Sequence, residues 1–271
     1  SYNTNLIVQS ELIRNWKPAM RIWCKPYNKY PECVAYNNRF ARRIKPMTNS
    51  IKVYSTQVTE RWSDEGFSAL MDIIPLDLQQ RVNAEKGWEN QHGSLARKLM
   101  LWYGMNEMGA NMNDLFECLE FTKSGKPYII DAPHFSLAND GAVAVCAISE
   151  TSVLGIDVER LKPLNLSDYR NEMTYLEWRE IYSRIIPLRR FYEFWTIKES
   201  VLKADGEQEN VDIKEIYIQP DIAFYNAKNW YINPAELDYY GYTCFLVSSN
   251  PHADIDVINV DLLEIFLDQK S

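Results

Sequence analysis

The chain has 271 residues and a mass of 31.7 kDa, enough for one large or two small domains with a real core. Its 46% hydrophobic and 24% charged residues exclude a disordered chain. The longest apolar run, Ala142 to Ile148, excludes a spanning helix, which needs roughly 18 residues, and Leu6-Ile7-Val8 is too short for the core of a secretory signal. The net charge of −8 opposes bulk nucleic-acid binding, but it is uneven. Residues 1–50 hold nine Lys/Arg against two Asp/Glu, residues 160–203 nine against six, and residues 205–271 three against thirteen. Two basic segments can therefore receive an anionic ligand locally, or simply be solvated faces. Cys24, Cys33, Cys118, Cys146 and Cys244 are scattered without a C-x-x-C pair. They read as small core hydrophobes of a reduced compartment, so the expected location is cytoplasmic.

Residues 1–50 mix Pro18, Pro26, Pro31 and Pro46 without a period and read as an irregular basic extension. Ile51 to Val58 alternates like a strand. Phe67, Leu70, Met71 and Ile74 mark one helix face that Pro75 ends. A second helix is predicted over about 92–108, with Leu95, Leu99, Trp102 and Tyr103 on one side. Short strands follow near 115–121, 128–130, 134–137 and 142–148, broken at Ser124-Gly125-Lys126-Pro127 and Asn139-Asp140-Gly141. A strand from Val153 to Glu159 leads into helices over about 168–184 and 188–204, then strands near 211–218, 229–233, 242–248 and 255–261. The order strand, helices, strands occurs twice, and the segment from Gly141 has a loose echo from Gly241. The expected fold class is α+β with antiparallel sheet, in two similar halves over 51–152 and 153–271.

The chemistry concentrates in two stretches. In Leu154-Gly155-Ile156-Asp157-Val158-Glu159, Ile156 and Val158 point to one side of a strand, so Asp157 and Glu159 share the other. Such a pair is either a solvated edge or a site for a hard cation such as Mg²⁺, which takes carboxylate oxygens and keeps waters for a phosphate. In Phe194 to Lys203, Trp195, Glu199 and Lys203 fall at i, i+4, i+8 and form one helical row. That row is either a surface ion pair under a core tryptophan or a third carboxylate with a flanking ammonium facing the acidic strand.

Together these stretches resemble the surfactin-synthetase-type 4′-phosphopantetheinyl transferases. That family's signatures, an (apolar)-G-(I/V)-D-(apolar)-E strand and a W-(S/C/T)-x-K-E-(S/A)-x-x-K helix roughly forty residues on, stand here as Gly155 to Glu159 and Trp195 to Lys203. The likeness extends over about 51–262, through Gly125-Lys126-Pro127 and the hairpin from His134-Phe135 to Ile148. It implies a pseudo-dimer of two α+β halves joined near 150–153, with the active site in the cleft between them. It implies Mg²⁺-dependent transfer of 4′-phosphopantetheine from coenzyme A to a serine of an apo acyl or peptidyl carrier protein, releasing 3′,5′-ADP. Asp157, Glu159 and Glu199 would hold Mg²⁺ or Mn²⁺. Glu199 would act as base, and Lys203 would stabilise the phosphate or the leaving ADP. Trp195 would wall the pantetheine channel, and Ser94, Lys126 and Asn139 would contact the coenzyme. The expected enzyme is a monomer without nucleic-acid or membrane partners.

The sequence departs from the family at the phosphate grip. The family's N-I-S-H-S reads Ser136-Leu137-Ala138-Asn139-Asp140, its Arg-Thr pair reads Gly93-Ser94, and its G-x-G-L reads Gly206-Glu207-Gln208-Glu209. These departures motivate an alternative, a catalytically weakened homologue that only binds coenzyme A or carrier protein. A Mg²⁺-dependent phosphodiesterase using the same carboxylates is a second rival. His92, His134 and His252 are too dispersed for a metal triad, with His92 the best placed to touch ligand because it precedes Gly93-Ser94. Arg179, Arg184, Arg189 and Arg190 form either a solvated face or a dock for an acidic partner.

Overall fold

Alternation along the strands sorts their side chains into separate cores. The computed structural model describes residues 49–109, 115–116, 118–123, 125–206 and 211–267. The extension expected over 1–50, with Cys24 and Cys33, thus lies almost wholly outside the described residues. The order begins with β1 (Ser50–Gln57), α1 (Asp64–Met71), α2 (Leu76–Asn83), α3 (Trp88–Glu107), β2 (Glu120–Phe121), β3 (Pro127–Tyr128), β4 (His134–Asp140) and β5 (Val143–Ser149). It continues with β6 (Leu154–Arg160), α4 (Tyr175–Ser183), α5 (Pro187–Asp205), β7 (Tyr217–Ile218), β8 (Ile222–Tyr225), β9 (Lys228–Pro234), β10 (Tyr242–Ser248), β11 (Asp254–Asn259) and α6 (Leu262–Phe266).

The first sheet runs β11-β1-β5-β4, with β11 parallel to β1 and the other pairs antiparallel. The second runs β6-β10-β9-β8-β7 and is antiparallel throughout. Ile51 and Val53 of β1, Val143, Val145 and Ala147 of β5, Leu154, Ile156 and Val158 of β6, and Cys244 and Leu246 of β10 form one core between the two sheets. The alternate residues Tyr54, Ala144, Cys146 and Ile148 face α3, while Val247 of β10 joins the core beneath α5. The mixed α+β class is as expected, and the molecule is layered as helix, sheet, sheet, helix. Burial raises the pKa of the Cys146 and Cys244 thiols, and among the described residues no helix is long and apolar enough to cross a membrane.

Several boundaries differ from expectation for local reasons. Pro75 does not merely stop a helix over Phe67 to Ile74. Helix α1 ends at Met71, and Pro75 is the N-cap of the unforeseen α2. The helix expected from 168 starts at Tyr175, because Thr174 and Glu177 form a reciprocal capping box. The strand expected over 211–218 shortens to Tyr217–Ile218 because Asp212 caps a 3-10 turn at Ile213–Glu215. Of the strand expected over 115–121, only Glu120–Phe121 is extended among the described residues. Strand β8 was hidden by its shortness.

The two-residue turn between β8 and β9 places Asn226 at φ 49° and Ala227 at φ 57°. Both central residues of this primed turn need positive φ, which suits asparagine and glycine but strains alanine. Ala227→Gly is expected to stabilise the fold by about 0.5–1 kcal/mol, the relief of left-handed strain less glycine's added chain entropy. Thermal unfolding checks it, with a midpoint raised by about 1–4 °C.

Candidate functional site

The acidic strand and the motif helix meet because one residue has no side chain. A Cβ on Gly155 would stand 2.0 Å from Ser200 O and 2.5 Å from Ala204 N, so only glycine lets the α5 backbone lie directly on β6. With α5 so close, the β6 residues flanking Gly155 in alternation aim at it. Asp157, 6% exposed, receives the Lys203 ammonium on Oδ1 at 2.5 Å. Its Oδ2 is buried and has no partner. Trp195, Glu199 and Lys203 do lie on successive turns of α5.

The electrostatics are those of crowded anions. Burial raises the Asp157 carboxyl against the pull of Lys203. Glu159 is raised well above the carboxylate range by burial and then by Asp157, Asp140 and Glu199. Glu199 is pushed up to about 7, first by burial and then by Asp157, with Lys203 opposing. Three acids that perturb one another around a single ammonium are a donor set of hard oxygens short of positive charge. The unpartnered Asp157 Oδ2 is what a cation would satisfy, so in chemistry the residues fit Mg²⁺ or Mn²⁺. As the side chains stand, no three His, Cys, Asp or Glu among the described residues are gathered tightly enough to hold an ion.

The remaining expected site residues lie elsewhere. Ser94 is buried in α3, where its hydroxyl and carbonyl oxygens both accept from Lys98 Nζ, at 2.9 and 2.8 Å. Asn139 turns its amide toward Gly141 O at 3.5 Å, facing the Gly93 turn of α3. Trp195 is 6% exposed and packs against Tyr169 and Phe191 inside the second core rather than lining an open channel. His92 stands among Trp62, Phe67 and Trp88 and accepts from Trp62 N–H at 3.2 Å, which makes it a core histidine. Three of the four clustered arginines pair with acids of α4 and α5: Arg184 with Glu180, Arg189 with Glu193, and Arg190 with both while its guanidinium lies over Phe194.

Lys198 carries a role that the sequence reading left unassigned. Wholly buried, it donates to Glu177 Oε2 at 3.0 Å and to Ile213 O at 3.1 Å, tying α5 to the N-terminus of α4 and to the 3-10 turn. The signal was its place at i+4 from Phe194 and three before Val201, on the apolar face.

With this geometry in view, residues 153–241 match the 4′-phosphopantetheinyl transferase superfamily. The chain is 29% identical over 218 residues to the 4′-phosphopantetheinyl transferase gsp of Aneurinibacillus migulanus, across 74% of this chain and 89% of that protein. It is 24% identical over 163 residues to the 4′-phosphopantetheinyl transferase Sfp of Bacillus subtilis, across 58% of this chain and 71% of that one. A stretch of 90 residues is 31% identical to psf-1 of Bacillus pumilus, covering 31% and 37% of the two chains. The matched segment opens just before Gly155 and contains both motifs, so the chain is similar to 4′-phosphopantetheinyl transferases there and, more loosely, over most of its length.

Lys126, expected at the coenzyme, reaches from the first half to the C-terminal end of α5, donating to Ala204 O at 3.0 Å and Leu154 O at 3.3 Å. Burial pushes its ammonium down to about 8, with Asp205 opposing the shift and Lys228 adding to it. A lysine lowered on folding holds fewer protons folded than unfolded between about pH 8 and 10.5. Its burial therefore penalises the fold fully below pH 8, and the penalty is relieved as pH rises through that window. Wild-type unfolding free energy should gain up to about 3 kcal/mol from this group between those limits. Chemical denaturation of Lys126→Met at pH 8 and pH 10 should lack this gain; equal slopes in both proteins would place the amine in water.

Proposed function

We propose that the protein transfers 4′-phosphopantetheine from coenzyme A to a serine of an apo acyl or peptidyl carrier protein, releasing 3′,5′-ADP, with Mg²⁺ or Mn²⁺ held by Asp157, Glu159 and Glu199. The observation that carries this reading is the meeting of β6 and α5, which puts Asp157 and Lys203 in contact and leaves Asp157 Oδ2 buried without a partner. The relatives' printed names support the transfer, and coenzyme A is the donor the family uses. A bound Mg²⁺ would neutralise charge on the pyrophosphate oxygens. Two like halves, 51–152 and 153–271, belong with this reading. In each, a strand opening at a positive-φ glycine, β5 after Gly141 and β10 after Gly241, sits between two antiparallel neighbours.

The chain's own residues perform the rest. Attack on phosphorus requires the carrier serine to lose its hydroxyl proton. Glu199, one helical turn before Lys203 on α5, takes it. Lys203, one turn on, presents its ammonium to the phosphoryl oxygens as negative charge moves toward the leaving group. Its hold on Asp157 Oδ1 keeps that charge at the site before substrate arrives. The work of Asp157 and Glu159 is to hold positive charge opposite the pyrophosphate.

The test is mass spectrometry of an apo carrier protein incubated with this protein, coenzyme A and Mg²⁺, which should show the carrier gaining one phosphopantetheinyl group. Glu199→Gln should slow the transfer by about 10²–10⁴-fold while the far-ultraviolet circular dichroism stays that of wild type. Wild-type rates in Glu199→Gln would remove its assignment as base. Coenzyme A binding without any transfer by the wild type would favour the binding-only homologue instead.

A further inference from the structure

β6 is the outermost strand of the second sheet and β4 the outermost of the first. An edge strand turns every second N–H away from its sheet, and a buried N–H must find a partner. Along β6 the Ile156 N–H donates to Ser136 Oγ at 3.1 Å and the Arg160 N–H donates to Asp140 Oδ2 at 2.9 Å. Both bridges join residues twenty apart, so β4 and β6 run side by side in the same direction, with side chains of β4 standing in for backbone carbonyls. Positions 136, 138 and 140 share one face of β4. The middle one is Ala138, buried in the intersheet core and without an acceptor. The carboxylates of Asp157 and Glu159 thus sit on the stretch of β6 between the two rungs.

The rung at Asp140 is the more heavily built. Lys162 Nζ donates to both of its oxygens, at 2.8 and 3.1 Å. The Tyr192 hydroxyl of α5 donates to Lys162 O at 3.1 Å. One carboxylate on the turn of the β4–β5 hairpin therefore holds the end of β6 and is connected through Lys162 to α5. Asp140 thus takes the strand N–H and the ammonium together, with its Oδ2 accepting from both.

We propose that Asp140 is a positioning residue for the acidic site: by accepting from the Arg160 N–H it fixes the end of β6 and with it the direction of the neighbouring Glu159 carboxylate. The proposal rests on the cation-binding role given above to Asp157, Glu159 and Glu199, and its test separates the two. The full chain, without coenzyme A, is measured by amide hydrogen exchange over 156–161 and by Mn²⁺ binding in electron paramagnetic resonance. Asp140→Ala should speed exchange at Arg160 and weaken Mn²⁺ by about three- to tenfold, the loss of one hydrogen bond. Asp140→Asn keeps an oxygen for the Arg160 N–H but discards the charge. It should stay within about twofold of wild type in both readouts. An asparagine variant as weak in Mn²⁺ as the alanine one would make charge the cause and overturn the proposal, as would unchanged exchange in Asp140→Ala. If the wild type binds no Mn²⁺ while exchange responds as expected, the anchor stands and the cation assignment falls. Should the alanine variant not fold, the asparagine variant decides alone.

Discussion

The approach of α5 to β6 at Gly155 is the contact on which the rest of the site depends. Helix backbone against strand backbone, with Ser200 O and Ala204 N where a Cβ would be, is closer than any pair of side chains would permit. At that separation the next outward residue of the strand, Asp157, is forced into the space beside the helix and out of water. Its charge then needs an answer within a hydrogen bond's length, and Lys203 supplies it. Burial of the carboxylate, its pairing, and the raised values of Glu159 and Glu199 all follow from that one packing distance. The glycine in the motif is thus as much a part of the chemistry as the acids are.

Two supports hold the helix in that position. From the first half, Lys126 reaches the carbonyls of Leu154 and Ala204 and so ties the start of β6 to the end of α5. From below, Ser200 Oγ donates to Phe245 O at 2.9 Å, locking the middle of the helix to β10. The cores on either side of the second sheet are separate, so the strand with the acids is braced on one face by the intersheet core and on the other by α5. Rigidity of this kind is what a site needs when like charges must be held together.

Much of this was legible in the sequence. Alternation placed Ile156 and Val158 on the core side and Asp157 and Glu159 on the other, as the structure has them. The spacing of Trp195, Glu199 and Lys203 gave the helical row, and all of β10 was found because its apolar run is bounded by Gly241 and Asn250. What stayed hidden was set by partners distant in sequence. Trp195 sits on the same row as Glu199, yet its ring turns into a cluster with Tyr169 and Phe191, which no local pattern specifies. Ser94 carries a hydroxyl where the family resemblance suggests a ligand contact, but Lys98 four residues on already occupies it. For the arginines the sequence leaves a solvated face and a dock both open, and only the folded pair of helices brings Arg190 to Glu180. Asp140 read as a departure from a motif because its two donors, Arg160 and Lys162, come from the other half of the chain.

Lys198 and Glu199 are consecutive, so their side chains leave the helix about 100° apart. The first is sealed into the base of α4 and the carbonyl of Ile213, and the second faces the acidic strand. Any displacement of the helix would have to drag α4 and the 211–216 segment along, because the peptide that bears the acid also bears the lock. Bending or sliding of α5 is therefore closed to the site as a means of adjusting to its substrates. The motion left to Glu199 is torsional, confined to the few bonds of its own side chain. The carboxylate behaves as a hinged arm on a fixed post.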